Sequence, residues 1–95
     1  MIKRFAFDTR IHHGVIHNGT IYLTGQVGTP GTSAEAQMAE VLAKIDGLLA
    51  KAGTDKRRIL HVQMWLDDIR DFDAVNRVWD AWMPMDHAPA RSSGE

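Results

Sequence analysis

The chain is 95 residues long, carries a formal charge of -1 and contains no cysteine. That length supplies one domain with a single core, expected to bury roughly 60 to 68% of its unfolded surface. The charge balance offers no basic field for nucleic acid, and the missing cysteines exclude disulfides, thiolate chemistry and cysteine zinc sites.

The opening residues M-I-K-R-F-A-F-D lack the apolar run of a signal peptide, and no stretch approaches the ~18 apolar residues of a membrane span. A cytoplasmic location with no membrane association is expected. Ile2 to Phe7 reads as a first strand and Ile11 to His17 as a second. Asn18-Gly19 then signals a hairpin, because both residues tolerate the positive φ of a tight turn, and Thr20 to Val27 returns as a third strand. Gly25 near its end suggests a bulge or a close backbone approach.

After the loop G-T-P-G-T-S, Thr32 and Glu35 have capping-box spacing. Met38, Val41, Leu42, Ile45, Leu48, Leu49 and Ala52 follow on one helical face, and Gly53 is the expected stop. Arg58 to Leu66 alternates as a strand, with Leu60, Val62, Met64 and Leu66 on one face and Trp65 on the more polar one. In the second helix Phe72, Val75, Val78, Trp79 and Trp82 form an apolar stripe, Asp71 suits the N-cap, and Pro84 forces an end. Pro89 then delivers Ala90 and Arg91 in extended conformation.

Few patterns point to chemistry. No Gly-rich phosphate loop, GxSxG elbow or HExxH occurs. His13 and His17 share a strand face without a carboxylate at ligand spacing, and the aspartates at 67, 68, 71 and 73 read better as caps and a solvated turn than as a metal site. Trp79 and Trp82 belong to the core stripe. Arg91 stands out, because the prolines fix its approach and a planar guanidinium grips a carboxylate with two parallel hydrogen bonds.

In order along the chain stand L-T-G-Q-V at Leu23 to Val27, the helix from Gln37 to Gly53, the strand and turn from Ile59 through Phe72, V-N-R-V-W at Val75 to Trp79, and P-A-R at Pro89 to Arg91. Together they resemble the reactive intermediate deaminase (Rid) family, also called YjgF and often labelled endoribonuclease L-PSP. The resemblance implies an α+β, chorismate-mutase-like fold: an antiparallel-rich sheet with two helices on one face, assembled as a homotrimer with intersubunit clefts. It implies hydrolysis of enamines and imines such as 2-aminoacrylate to 2-keto acids and ammonia, without cofactor or metal. By the same resemblance Arg91 is the carboxylate-binding and catalytic residue, while Thr24, Gly25, Asn76 and Ser93 match substrate-binding positions.

Two departures accompany it. The family continues past this arginine through two further strands, the last bearing a glutamate that positions water, so residues 1–95 are expected to form a single Rid-like domain lacking those strands. Ile11 also stands where several deaminases have a cleft-closing tyrosine. The rival expectation is therefore a non-catalytic trimer binding a small 2-keto acid or a protein partner in the same clefts. RNA cleavage follows only from the family label, and the near-neutral charge argues against it.

Overall fold

A computed structural model describes residues 1–95. The order of elements is β1 (Lys3–Asp8), β2 (Ile11–His17), β3 (Thr20–Leu23), α1 (Ala34–Lys51), β4 (His61–Trp65), α2 (Phe72–Trp82) and β5 (Ala90–Gly94), with short 3-10 turns before β4, before α2 and before β5. The architecture is α+β, and the five strands fall into two separate sheets. An antiparallel sheet has the order β1-β2-β3, and a parallel pair joins β4 to β5.

The hairpin between β2 and β3 forms as its dipeptide dictates. His17 pairs with Thr20, and Asn18 and Gly19 between them both take positive φ, 52° and 76°. In β2, Gly14 lies under the ring of Phe5 on β1: a Cβ at Gly14 would stand only 2.0 Å from Phe5 Cζ. β3 ends at Leu23, short of the expected Val27. The close backbone approach anticipated at Gly25 is found at Gly28 instead, where an added Cβ would lie 2.6 Å from Gln37 Cβ, whereas nothing stands within 4 Å of one at Gly25.

The helix α1 begins one residue later than the capping-box spacing indicated. Ser33 Oγ accepts from Ala36 N at 3.1 Å, because the Thr32 hydroxyl is already committed, donating to the Thr29 carbonyl at 2.8 Å. Its end is as expected: Gly53 takes φ 79°, and Thr54 N donates to Leu49 O at 3.0 Å, satisfying an orphan carbonyl. At α2, Asp71 occupies the N-cap position but its carboxylate caps nothing. The chain enters this helix through a 3-10 turn over Ile69–Asp71, and Asp68 is the residue that caps it, accepting from Arg70 N at 2.9 Å.

The core is a cluster of Met38 and Leu42 from α1, Met64 from β4, and Val75, Trp79 and Met83 at α2. Trp82 Nε1 donates to Asp46 Oδ2 at 2.8 Å and ties the two helices together. On β4 the alternation holds, with Val62, Met64 and Leu66 facing the helices and Trp65 74% exposed. Leu60, expected on the core face, is instead 76% exposed, since β4 starts after it. No helix is long and apolar enough to cross a membrane.

The core is thin for the chain's mass. The accessible surface is 6542 Å², against roughly 5,500 Å² expected for a folded monomer of this size. The chain thus buries only about 57% of its unfolded surface, below the range expected from length. A groove of about 1380 Å³ opens between the two sheets, lined by β3, by β4 and by Met38, Val41 and Ile45 of α1.

Candidate functional site

Arg91 stands on β5 opposite Val62 of β4. From there its side chain crosses onto α2, where Phe72, Asn76 and Trp79 fall three to four residues apart and so share one helical face. Nη2 donates to Asn76 Oδ1 at 2.7 Å. The guanidinium carbon lies 5.0 Å from the Trp79 ring centroid and 5.7 Å from that of Phe72, distances at which the ring quadrupole attracts a cation.

Nη1 of Arg91 is shut off from solvent and has no hydrogen-bond partner. A charged donor left in this state costs more than the roughly 1 to 3 kcal/mol of a neutral one. Aromatic walls lower the local dielectric, which strengthens any ion pair made there. The arrangement is a guanidinium set against two aromatic rings and held by one amide.

The other expected residues divide between two places. Asn76 meets Arg91 directly. Ser93 is two residues further along β5, paired with Met64, and is exposed. Thr24 and Gly25 follow β3 and line the groove between the sheets, whose lining does not include Arg91. Within one chain, Arg91 and Thr24 do not converge.

Around Thr24 the structure assembles a polar cluster that the sequence did not reveal. His13 Nδ1 lies 2.7 Å from Thr24 Oγ1, and Gln26 Nε2 donates to that hydroxyl oxygen at 3.1 Å and to the Thr24 carbonyl at 3.2 Å. The other ring nitrogen, His13 Nε2, is 3.5 Å from Asp8 Oδ2. With the imidazole proton on Nε2, which faces Asp8, His13 Nδ1 would accept from the Thr24 hydroxyl; with it on Nδ1 the direction reverses. The cluster fixes the position of the hydroxyl. Its one sequence signal was His13 on β2, whose cross-strand partners only the register reveals.

Glu95 is engaged elsewhere: its Oε2 accepts from Ile69 N at 2.7 Å, at the turn preceding α2. No three histidine, aspartate or glutamate side chains gather where they could hold a metal ion.

Comparison with known proteins places these features in context. The profile of the endoribonuclease L-PSP family matches residues 1–95. The chain is 42% identical over 90 residues to the RutC family protein YoaB of Escherichia coli K12, covering 95% of this chain and 79% of that protein. It is 40% identical over 96 residues to a RutC family protein of Haemophilus ducreyi, covering 100% of this chain and 82% of that one. Among solved structures, NMB1025 of Neisseria meningitidis, a member of the YjgF protein family, superposes with a TM-score of 0.95 at 40% identity, over 100% of this chain and 80% of that one.

Proposed function

We propose, because this chain belongs to the endoribonuclease L-PSP (Rid, YjgF) family, that it hydrolyses small 2-imino acids, including those formed from enamines such as 2-aminoacrylate, to 2-keto acids and ammonia. The observation that carries the reading is the Arg91 guanidinium, backed by Trp79 and steadied by Asn76. Arg91 binds the substrate carboxylate. The enamine tautomerises to the imine, whose protonated C=N carbon is electrophilic enough to accept water directly. Water adds to that carbon, a proton passes from the new hydroxyl to nitrogen, and the carbon–nitrogen bond breaks to leave the keto acid and ammonium.

Thr24, oriented by His13 and Gln26, is the group in this reading that holds the attacking water. Because Thr24 and Arg91 stand apart in one chain, the reading requires them to come from different subunits across a shared cleft, consistent with a homotrimer. Measuring ammonia release from freshly generated 2-aminoacrylate tests the proposal. Arg91→Ala is expected to abolish turnover while the oligomeric state stays unchanged, and equal activity in the variant would remove it.

A second reading, a non-catalytic trimer that binds a small 2-keto acid, is favoured by one observation. Glu95, the acid nearest in sequence to Arg91, is spent on the Ile69 amide. Thermal stabilisation by 2-ketobutyrate with no ammonia release would select it.

A further inference from the structure

His13 and Thr24 face one another at the open end of the β2–β3 hairpin. Thr24 N donates to the His13 carbonyl at 3.0 Å, one step beyond the Gly14–Leu23 pair, so the two side chains leave the sheet on the same face. Their contact, 2.7 Å from Nδ1 to Oγ1, is the shortest in the cluster. Which atom brings the proton to it decides what the cluster can do.

Gln26 bears on that choice. The Thr24 carbonyl can only accept, so the Gln26 group 3.2 Å from it is the amide nitrogen and not the oxygen. The same Nε2 stands 3.1 Å from Thr24 Oγ1 and 3.5 Å from His13 Nδ1. An N–H on Nδ1 would confront a second donor, whereas a bare Nδ1 meets donors alone. Asp8 pulls the same way from the far side of the ring. Its Oδ2 is 3.5 Å from His13 Nε2, its Oδ1 accepts from Thr9 Oγ1 at 3.1 Å, and a carboxylate favours the imidazole proton on the nitrogen it faces. Ala6 and Thr9, which bracket Asp8, take φ 57° and 55°. Backbone of this kind persists where the surrounding structure over-determines a side chain's place.

The charges around the ring are few. β1 contributes Asp8, and Arg4 stands one step further along, opposite Val15. The segment after β3 contributes the uncharged Thr24 and Gln26. His12 is the next residue on β2 but lies on the other face, against Phe7. Asp8 is thus the one ionised group in contact with the imidazole, and it favours the protonated ring once a proton has been taken up.

We infer that His13, aligned by Asp8, is a positioning residue that takes up and returns a proton through the Thr24 hydroxyl during imine hydrolysis; the inference rests on the hydrolytic reading above. Water adds to the carbon of the protonated C=N, and the π pair moves to nitrogen. One water proton passes to Thr24 Oγ1 while the Thr24 proton moves to His13 Nδ1, leaving a neutral carbinolamine and an imidazolium. The proton then returns through Thr24 to the carbinolamine nitrogen. The carbon–nitrogen bond breaks with its pair going to nitrogen, and the hydroxyl proton follows the departing ammonia, giving keto acid and ammonium. An imidazole protonated beforehand cannot accept, so the addition step fails at low pH.

The test follows ammonia release from freshly generated 2-aminoacrylate by the full chain across the range from about pH 5 to 8 in which histidine titrates. The parent chain is expected to lose kcat on the acid side along a one-proton limb. His13→Asn keeps an acceptor beside Thr24 but cannot take up the proton, so kcat should fall roughly 10²-fold and the acid limb should vanish. KM, set at Arg91, should stay close to that of the parent. Asp8→Asn removes the charge that favours the imidazolium and should move the limb to lower pH by about half a unit or more. NMR of the imidazole nitrogens in the parent chain reads the tautomer without turnover, with the proton expected on Nε2.

An acid limb that survives in His13→Asn, or moves to higher pH in Asp8→Asn, would overturn the role of His13 while leaving hydrolysis in place. A neutral ring with its proton on Nδ1 would overturn it as well. No ammonia release from the parent chain at any pH would remove the hydrolytic reading, and the role of His13 with it.

Discussion

Arg91 and Asn76 are joined at 2.7 Å through Nη2 and Oδ1, a contact between β5 and α2 that holds the guanidinium plane against the rings of Trp79 and Phe72. The asparagine is neutral, so it orients the arginine without cancelling its charge. Asn76→Asp should supply a competing carboxylate and weaken substrate binding by roughly 10- to 150-fold, the equivalent of one charge-assisted hydrogen bond at about 1.5 to 3 kcal/mol. Steady-state kinetics should show this as a raised KM with the melting temperature preserved. A variant with wild-type KM would count against Arg91 as the carboxylate grip.

Thr24→Ser retains the hydroxyl that His13 and Gln26 both address, whereas Thr24→Val removes it. Serine is expected to keep most of the turnover, and valine to lower kcat by roughly 10²-fold if the hydroxyl helps move a proton. Ammonia release from both variants makes the comparison. Similar rates for serine and valine would show that the cluster is purely structural.

The bond from Trp82 Nε1 to Asp46 Oδ2 at 2.8 Å makes a prediction about stability alone. Asp46→Ala should cost about 1 kcal/mol, read from urea denaturation, and should shift the Trp82 contribution to fluorescence. Loss of turnover at unchanged stability would contradict this assignment.

The Arg57 side chain, and then its backbone N–H, hydrogen-bond to Asp55 and hold its carboxyl at about 2, below its ordinary 3.8. A pKa lowered by folding stabilises the native state above the unfolded value, and that contribution disappears as pH falls from about 4 toward about 2. Asp68, beside Arg70, and Glu40, beside Thr29, are lowered in the same direction. Circular dichroism between pH 2 and 6 should therefore show a shallower acid limb for Asp55→Asn than for the parent chain. The exposed position keeps the effect small and salt-sensitive.

Gly14→Val would drive a branched side chain into the Phe5 ring, which lies where the Cβ would go. Overpacking of this kind costs about 1 to 3 kcal/mol, and pairing the change with Phe5→Ala should recover part of it. A double-mutant cycle in urea measures the coupling.

Local patterns carried much of this fold. The 3.6-residue stripe of α2 and the Asn18-Gly19 dipeptide encode their own geometry, and both elements formed as the spacing indicated. Caps were less legible, because several hydroxyls and carboxylates compete within a few residues. Thr32 was lost to the Thr29 carbonyl, and Asp71 to a 3-10 turn capped by Asp68. The division into two sheets was invisible, since alternation marks a strand but not its neighbour.

The candidate site showed the same split. Arg91 and Asn76 were recognisable because a short motif surrounds each. The His13 and Asp8 support for Thr24 depends on cross-strand register, which sequence spacing does not contain, while Gln26 reaches Thr24 from two residues along the same segment.

The meeting of Gly28 with Gln37 has a mechanical meaning. The three-stranded sheet leans on α1 through this loop, with Lys44 Nζ donating to the Val27 carbonyl at 2.7 Å and Glu40 Oε1 accepting from Thr29 N at 2.9 Å just beyond it. Glycine at position 28 lets the loop lie directly on α1, and one extra methyl there would press on Gln37 and push the loop off the helix.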